Sequence, residues 1–361
     1  MTKPIFFNFF SGKKIDSPPD SLWRVGDRPA ASFLVGPAFF DPQVNGFAGV
    51  DFQNPDITGD ELEFALREIQ GAACSHILLT LVTAGFDSLQ YQFRHLAGIL
   101  EENEFVRGSV LGFHLEGPFI SRKPGFHGAH PPEQVCDPDW KVFEKLQLAS
   151  GSRIRLITLA PELEGSQSFI QKAVSQGVMV SLGHTDASYE ELLDALIAGA
   201  RMVTHLGNGC PEQLHRHNNI IQRVLAVSDL MVSLIPDGIH LPPYVLANLV
   251  RALGMTRVVM TTDAMSAAGA PPGEYRLGRL QLVVGQDRVV LMPGGKNFAG
   301  SSLTMVEGFH NSVRFGGLDA AGAWRAWTRL RTILFPDVVP PWLALPYWQG
   351  TSSESPKHQP H

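Results

Sequence analysis

Cysteine is scarce in this sequence. Cys74, Cys136 and Cys210 are the three cysteines in 361 residues. They form no CxxC pair and no even framework. This excludes a disulfide-stapled scaffold and suits a reducing cytoplasm. Charge is also thin: charged residues make up 18%, and the formal net charge is −6. No basic nucleic-acid-binding face follows from that balance, so no nucleic-acid partner is expected. No run of 18 apolar residues occurs, so no membrane span is expected. The N-terminal MTKPIFFNFFSGKK has neither a long apolar core nor a small-residue cleavage site, and is not read as a signal peptide. Apolar residues, by contrast, reach 44%. That argues against disorder, and the length suits one barrel-sized core with attachments.

Short β-rich runs alternate with helical stretches along the chain. The runs are FLVGPAFFD (33–41), ILLTLVT (77–83), VLGFHLE (110–116), IRLITLA (154–160), VMVSLGH (178–184), MVTHL (202–206), MVSLI (231–235) and VVMTT (258–262). DELEFALREIQGAA, SFIQKAVSQ and SYEELLDALIAG read as helices, the last with Ser188 and Glu191 spaced as a capping box. Near-continuous apolar strands alternating with helices imply a parallel sheet covered on both faces. Eight such runs predict an α/β fold, a (β/α)8 TIM-type barrel.

In such a barrel, chemistry belongs at the C-terminal ends of the strands. Gln43 and Asn45 lie at the end of the first run and share a face, being two residues apart. Glu116 ends the third run and His184 the fifth. His205 lies near the end of the sixth, Asp237 and His240 follow the seventh, and Asp263 follows the eighth. A single histidine after an apolar run is ordinarily a hydrogen-bonded core or loop residue. A glutamate, two histidines and an aspartate converging on one barrel mouth are harder to explain structurally, because uncompensated carboxylates are costly to bury. A divalent metal removes that cost. Glu116, His184 and His205 make a three-ligand N/O set with a position left open for water, and Asp263 stands beside it as general base and then general acid.

The segments DPQVNGFAGVDF, GFHLEGPFI with GAHPP, LGHTDASYEE, VTHLGN with LHRHN, PDGIHLPP, TTDAMSAAG and FAGSSLTM occur in one order over roughly residues 36–310. On these motifs the chain resembles the N-acetylglucosamine-6-phosphate deacetylases of the amidohydrolase superfamily. The resemblance implies hydrolysis of the acetamide of N-acetylglucosamine 6-phosphate to glucosamine 6-phosphate and acetate. It implies Glu116, His184 and His205 as metal ligands and Asp263 as the catalytic aspartate. It implies His130 beside the substrate with Ala129, and Asn208 and Gly209 at the sugar phosphate. Arg216 would bind phosphate, in the family even across a dimer interface, so a homodimer is expected. Asp237, Gly238, Ile239 and His240 would line the sugar, and Phe298, Ala299 and Gly300 would form a substrate-side loop. The oxyanion role stays open between His130 and His240. His127, His215 and His217 are read as loop histidines.

Many amidohydrolases carry HxH at the end of strand one and bind two metals. Some deacetylases of this family carry QxN there and use one. The QVN of this chain therefore implies one divalent ion, zinc first, with Fe2+, Co2+ or Mn2+ compatible. Gln43 and Asn45 would hydrogen-bond around the site, or else satisfy buried backbone groups. Gly207 and Gly209-Cys210 depart from the family pattern, as does the HNN after Arg216, and they leave the exact sugar open. Another N-acyl amino sugar, or a barrel that binds sugar phosphate without turnover, are the alternatives. Residues 1–32 are expected to belong to a small terminal β-sandwich, reduced or diverged. Residues 33–317 are expected to form the barrel, with a hairpin insertion near 275–293. Residues 318–361 read as a diverged tail, disordered over TSSESPKHQPH.

Overall fold

The computed structural model describes residues 5–8, 14–15, 23–24, 32–292, 294 and 297–346. The last segment, TSSESPKHQPH, lies outside the described residues. The expected barrel forms. Its strands are β1 (Phe39–Val44), β2 (Cys74–Val82), β3 (Val110–Glu116), β4 (Ile154–Leu159), β5 (Met179–Leu182), β6 (Met202–Val203), β7 (Met231–Leu234) and β8 (Val258–Met260). They pair in sequence order, and every neighbouring pair is parallel. Between them run α1 (Gly59–Gly71), α2 (Phe86–Glu102), α3 (Trp140–Ala149), α4 (Ser166–Ser175), α5 (Tyr189–Ala198), α6 (Ile220–Ala226) and α7 (Pro243–Leu253). Local chemistry starts these helices where it should. Ser188 and Glu191 make the anticipated capping box of α5, and Thr58 with Glu61 makes another for α1.

Between β8 and β1 the ladder is sparse: a single parallel bridge joins Val44 to Ala264, with the Asn45 amide donating to the Ala264 carbonyl at 2.7 Å.

Three boundaries differ from expectation. The run FLVGPAFFD is two strands, because the proline in its middle cannot donate to a ladder. Ser32–Pro37 joins a separate five-stranded sheet, and β1 starts afresh at Phe39 and reaches Val44. Gln43 therefore lies on β1 and Asn45 just past it. The hairpin, expected near 275–293, is formed by β9 (Gly273–Leu277) and β10 (Leu280–Val284) and ends at Val284. Its turn sits at Gly278, whose φ of +55° suits glycine far better than other residues.

The third boundary is residue 317, which is not an edge of the fold. Helices α8 (Met305–Arg314) and α9 (Ala320–Leu334) pack on the barrel. Trp324 and Trp327 are fully buried; Trp324 meets Phe39 edge-on at 5.1 Å and donates its indole N–H to the Pro37 carbonyl at 2.8 Å. Truncating either indole would cost about 3–5 kcal/mol. Trp342–Pro346 then pairs antiparallel with Ser32–Pro37, inside a sheet ordered Lys14–Ile15, Ile5–Asn8, Ser32–Pro37, Trp342–Pro346, Trp23–Arg24. No helix among the described residues is long and apolar enough to cross a membrane.

Candidate active site

The C-terminal strand ends open into one cavity of ≈ 1260 Å³. Glu116, His130, His184, His205, Asp263 and Asn45 all face it. Three of the residues that project there leave their strands in an unusual way. His184, His205 and Asp263 have φ of +50°, +32° and +50°. A left-handed conformation outside glycine costs about 1–3 kcal/mol and persists only where the surroundings impose it. Here it turns each side chain from the strand end toward the common mouth.

Glu116 is the centre of the cluster. Its Oε1 lies 2.9 Å from His205 Nε2 and 3.3 Å from His184 Nε2, and accepts a hydrogen bond from Gln43 Nε2 at 3.0 Å. Burial alone would raise its pKa, but the hydrogen bonds to His184 and His205 outweigh this and hold it well below the usual carboxylate range. Burial works against a charged His205, yet its contact with Glu116 raises it above the ordinary imidazole value. The Phe126 carbonyl accepts the Nδ1–H of His184 at 2.9 Å, which turns Nε2 toward Glu116. Gly209 makes that placement possible, since a Cβ there would come within 2.8 Å of His184 Nδ1.

His130 belongs to the same cluster. Its ring meets that of His184 edge-on at 4.4 Å. Potential ligand atoms of Glu116, His130 and His184 all lie within 4.8 Å of one another. Burial, helped by the neighbouring His184, pushes His130 down to about 3, so it is neutral near pH 7. Thr83 Oγ1 sits 2.8 Å from its Nδ1 and 3.3 Å from the Glu116 carbonyl. Thr83 has one hydroxyl proton and donates it to the Glu116 carbonyl, so its oxygen accepts the Nδ1–H of the neutral His130 ring, whose other nitrogen keeps its lone pair. Thr83 was not singled out from sequence, although it ends the second apolar run. A rule that inspected every strand end would have found it.

Asp263 is buried, and Asn45 Nδ2 donates to its Oδ1 at 2.7 Å. Burial and the Glu116 charge push Asp263 up to about 8, while His205 and the Asn45 hydrogen bond work the other way. The two amides at the end of β1 thus divide the two carboxylates between them. A carboxylate only accepts, so each amide presents its NH2 side, Gln43 to Glu116 and Asn45 to Asp263.

The donor set fits a divalent cation. It offers a carboxylate oxygen and several imidazole nitrogens on buried side chains, and His205 Nδ1 is buried with no partner among the described residues.

The substrate-side residues separate into two groups. Ala129, Asn208, Gly209, His240, Phe298 and Gly300 line the cavity. Asp237, Gly238, Ile239 and Ala299 do not. The Asp237 carboxylate is already engaged, accepting from the Ile239 and His240 amides at 2.8 Å each and from His240 Nδ1 at 2.5 Å. It positions His240, whose ring lies 4.3 Å from that of Phe298. Ala299 is fully buried behind the loop. Arg216 is exposed outside the cavity, with no hydrogen bond or ion pair among the described residues.

No protein-family model matches the chain. It is 33% identical over 282 residues to the N-acetylglucosamine-6-phosphate deacetylase of Lysinibacillus sphaericus, covering 78% of this chain and 71% of the relative. It is 32% identical over 302 residues to that of Bacillus subtilis, covering 83% and 74%. The fold matches an Asp-to-Ala mutant of the Mycobacterium smegmatis N-acetyl-D-glucosamine-6-phosphate deacetylase in complex with N-acetyl-D-glucosamine-6-phosphate. There the TM-score is 0.74 and the identity 32%, over 82% of this chain and 76% of the other.

Proposed function

The chain belongs to the N-acetylglucosamine-6-phosphate deacetylase family, and from that premise we propose that it hydrolyses the acetamide of N-acetylglucosamine 6-phosphate to glucosamine 6-phosphate and acetate. The observation that carries this reading is the meeting of Glu116, His184, His205, His130 and Asp263 in one buried mouth.

Glu116, His184 and His205 would hold a divalent metal, one per chain. Zinc suits two imidazoles and a carboxylate, and iron, cobalt and manganese accept the same donors. Such an ion supplies Lewis-acid polarisation of the substrate carbonyl and a lowered pKa for the attacking water. Asp263 takes the proton of that water and later delivers it to the departing amine. His130 and His240, both lining the cavity, are the residues that can stand against the developing oxyanion. Asn45 keeps Asp263 aimed, and Gln43 does the same for Glu116. The sugar lies against Asn208, Gly209, His240 and Phe298. Arg216, exposed and without a partner among the described residues, reaches the phosphate in a second copy's cavity, which makes the working unit a homodimer. A cytoplasmic location accords with the free thiols at all three described cysteines.

The test is acetate release from N-acetylglucosamine 6-phosphate, with the unphosphorylated sugar and the galacto epimer as controls, on metal-loaded protein. Asp263→Asn is assayed alongside and loses turnover by about three orders of magnitude or more. A loaded parent that releases no acetate from any of the three sugars refutes the reading.

A further inference from the structure

Asp41 is a fully buried carboxylate that the chemistry described above does not use. It lies on β1, two residues before Gln43. Among the described residues no cation pairs with it. Four hydrogen bonds converge on it instead. Oδ1 accepts from the Gln43 amide at 3.1 Å and from Thr261 Oγ1 at 2.6 Å. Oδ2 accepts from the Thr262 amide at 3.0 Å and from Thr262 Oγ1 at 2.6 Å. One side chain therefore joins the first barrel strand to the two residues that precede Asp263.

The place of this clamp matters. Between β8 and β1 the backbone contributes one bridge, Val44 to Ala264. Across that same seam, Asn45 from the β1 side bonds Asp263 from the β8 side at 2.7 Å. Asp263 is also one of the residues held at positive φ. A strained residue keeps its conformation only if its neighbours leave it no alternative. On its C-terminal side the Asp263 carbonyl accepts the Ser301 amide at 2.8 Å, and the Ala264 amide donates to Thr262 Oγ1 at 3.1 Å. On its N-terminal side the Asp41 carboxylate fixes Thr261 and Thr262. Both ends of Asp263 are pinned, and the same carboxylate pins the amide of Gln43.

We propose that Asp41 is a positioning residue, which sets the register of the barrel seam and thereby the aim of the Asp263 carboxylate and of the Gln43–Asn45 amide pair. The inference rests on Asp263 being the group that moves the proton. Asp41 is not among the residues that line the cavity, and its four hydrogen bonds go to no candidate metal ligand, so its effect falls on turnover and not on binding.

The experiment uses the full-length, metal-loaded protein. Asp41→Asn keeps the shape and replaces one twice-bonded acceptor oxygen by an NH2 that faces donors. The expected result is a fall in kcat per metal-loaded chain of about 10- to 150-fold, the loss carried by a hydrogen bond to a charged group. KM stays within threefold and metal per chain is unchanged. Thr261→Val removes a single bond to Oδ1 with little change of volume. It is the deciding variant if Asp41→Asn does not fold, with a fall of about tenfold under the same conditions. A kcat within twofold of the parent in the deciding variant overturns the proposal. So does a loss that follows metal content or KM, because that is the signature of a damaged site and not of a misaimed base. Asp263→Asn is measured in parallel. If it retains turnover, the premise falls and the proposal with it. If it is inactive while the Asp41 and Thr261 variants turn over normally, only the positioning role is lost.

Discussion

Replacing Asn45 by alanine isolates one hydrogen bond. In the structure its amide NH2 donates to Asp263 Oδ1 at 2.7 Å, inside a buried site. A hydrogen bond to a charged partner contributes about 1.5–3 kcal/mol, and a carboxylate buried without its donor keeps the whole desolvation cost. If that loss falls on the step in which Asp263 accepts a proton, kcat drops by about 10- to 150-fold. The pH dependence gives an independent check. The Asn45 bond lowers the Asp263 pKa, opposing burial and the Glu116 charge. Without it the carboxylate is protonated more readily, and the acidic limb of the kcat profile moves to higher pH. One pKa unit corresponds to 1.36 kcal/mol, so the expected bond energy moves the limb by about one to two units. The assay is acetate release across pH on metal-loaded protein, with metal content determined in each sample. A variant with unchanged metal, kcat within twofold of the parent and an unmoved limb would falsify the division of labour between the two amides.

Protein purified without added metal, titrated with zinc and dialysed extensively, retains close to one ion per chain; a retained value near two would reopen the role of Gln43 and Asn45. His205→Gln loses that ion while His130→Gln keeps it and loses kcat, and metal loss in the His130 variant would move His130 from the oxyanion to the ligand set. Arg216→Ala raises KM for the phosphorylated sugar far more than for the plain sugar, because a phosphate contact is uniform binding energy; equal effects would remove Arg216 from phosphate recognition. His114 is fully buried between Thr80 and Thr158, and burial pushes it down to about 4. The unfolded chain then binds more protons between that value and the ordinary 6.5, so the His114 contribution to stability is full above 6.5 and is lost as pH falls toward 4. In chelator-stripped protein, urea unfolding from pH 7 to pH 5 should cost the parent about 2 kcal/mol more than His114→Gln; parallel curves for the two proteins would contradict a buried neutral imidazole.

What the sequence determined by itself was local and periodic. The eight apolar runs were legible because a strand buried on both faces must be apolar almost throughout. The capping box at Ser188 was legible because its partners are three residues apart. Glu116, His184, His205 and Asp263 could be named because chemistry at strand ends has a fixed place in the chain order of a barrel. The tertiary structure decided everything that depends on which strand end faces which. Gln43 and Glu116 are 73 residues apart, and Asn45 and Asp263 are 218 apart. That each amide takes one carboxylate follows from closure of the barrel, which no local pattern records. The same closure leaves Asp237 out of the cavity lining, its carboxylate spent on His240. It also turns residues beyond 317 into part of the core, because Trp324 and Trp327 find their partners on β1 and α8. Asp41 read as one more residue of an apolar strand; only the meeting of β1 with Thr261 and Thr262 shows it as the carboxylate that holds the seam, because hydrogen bonds across a closing sheet depend on register and not on composition.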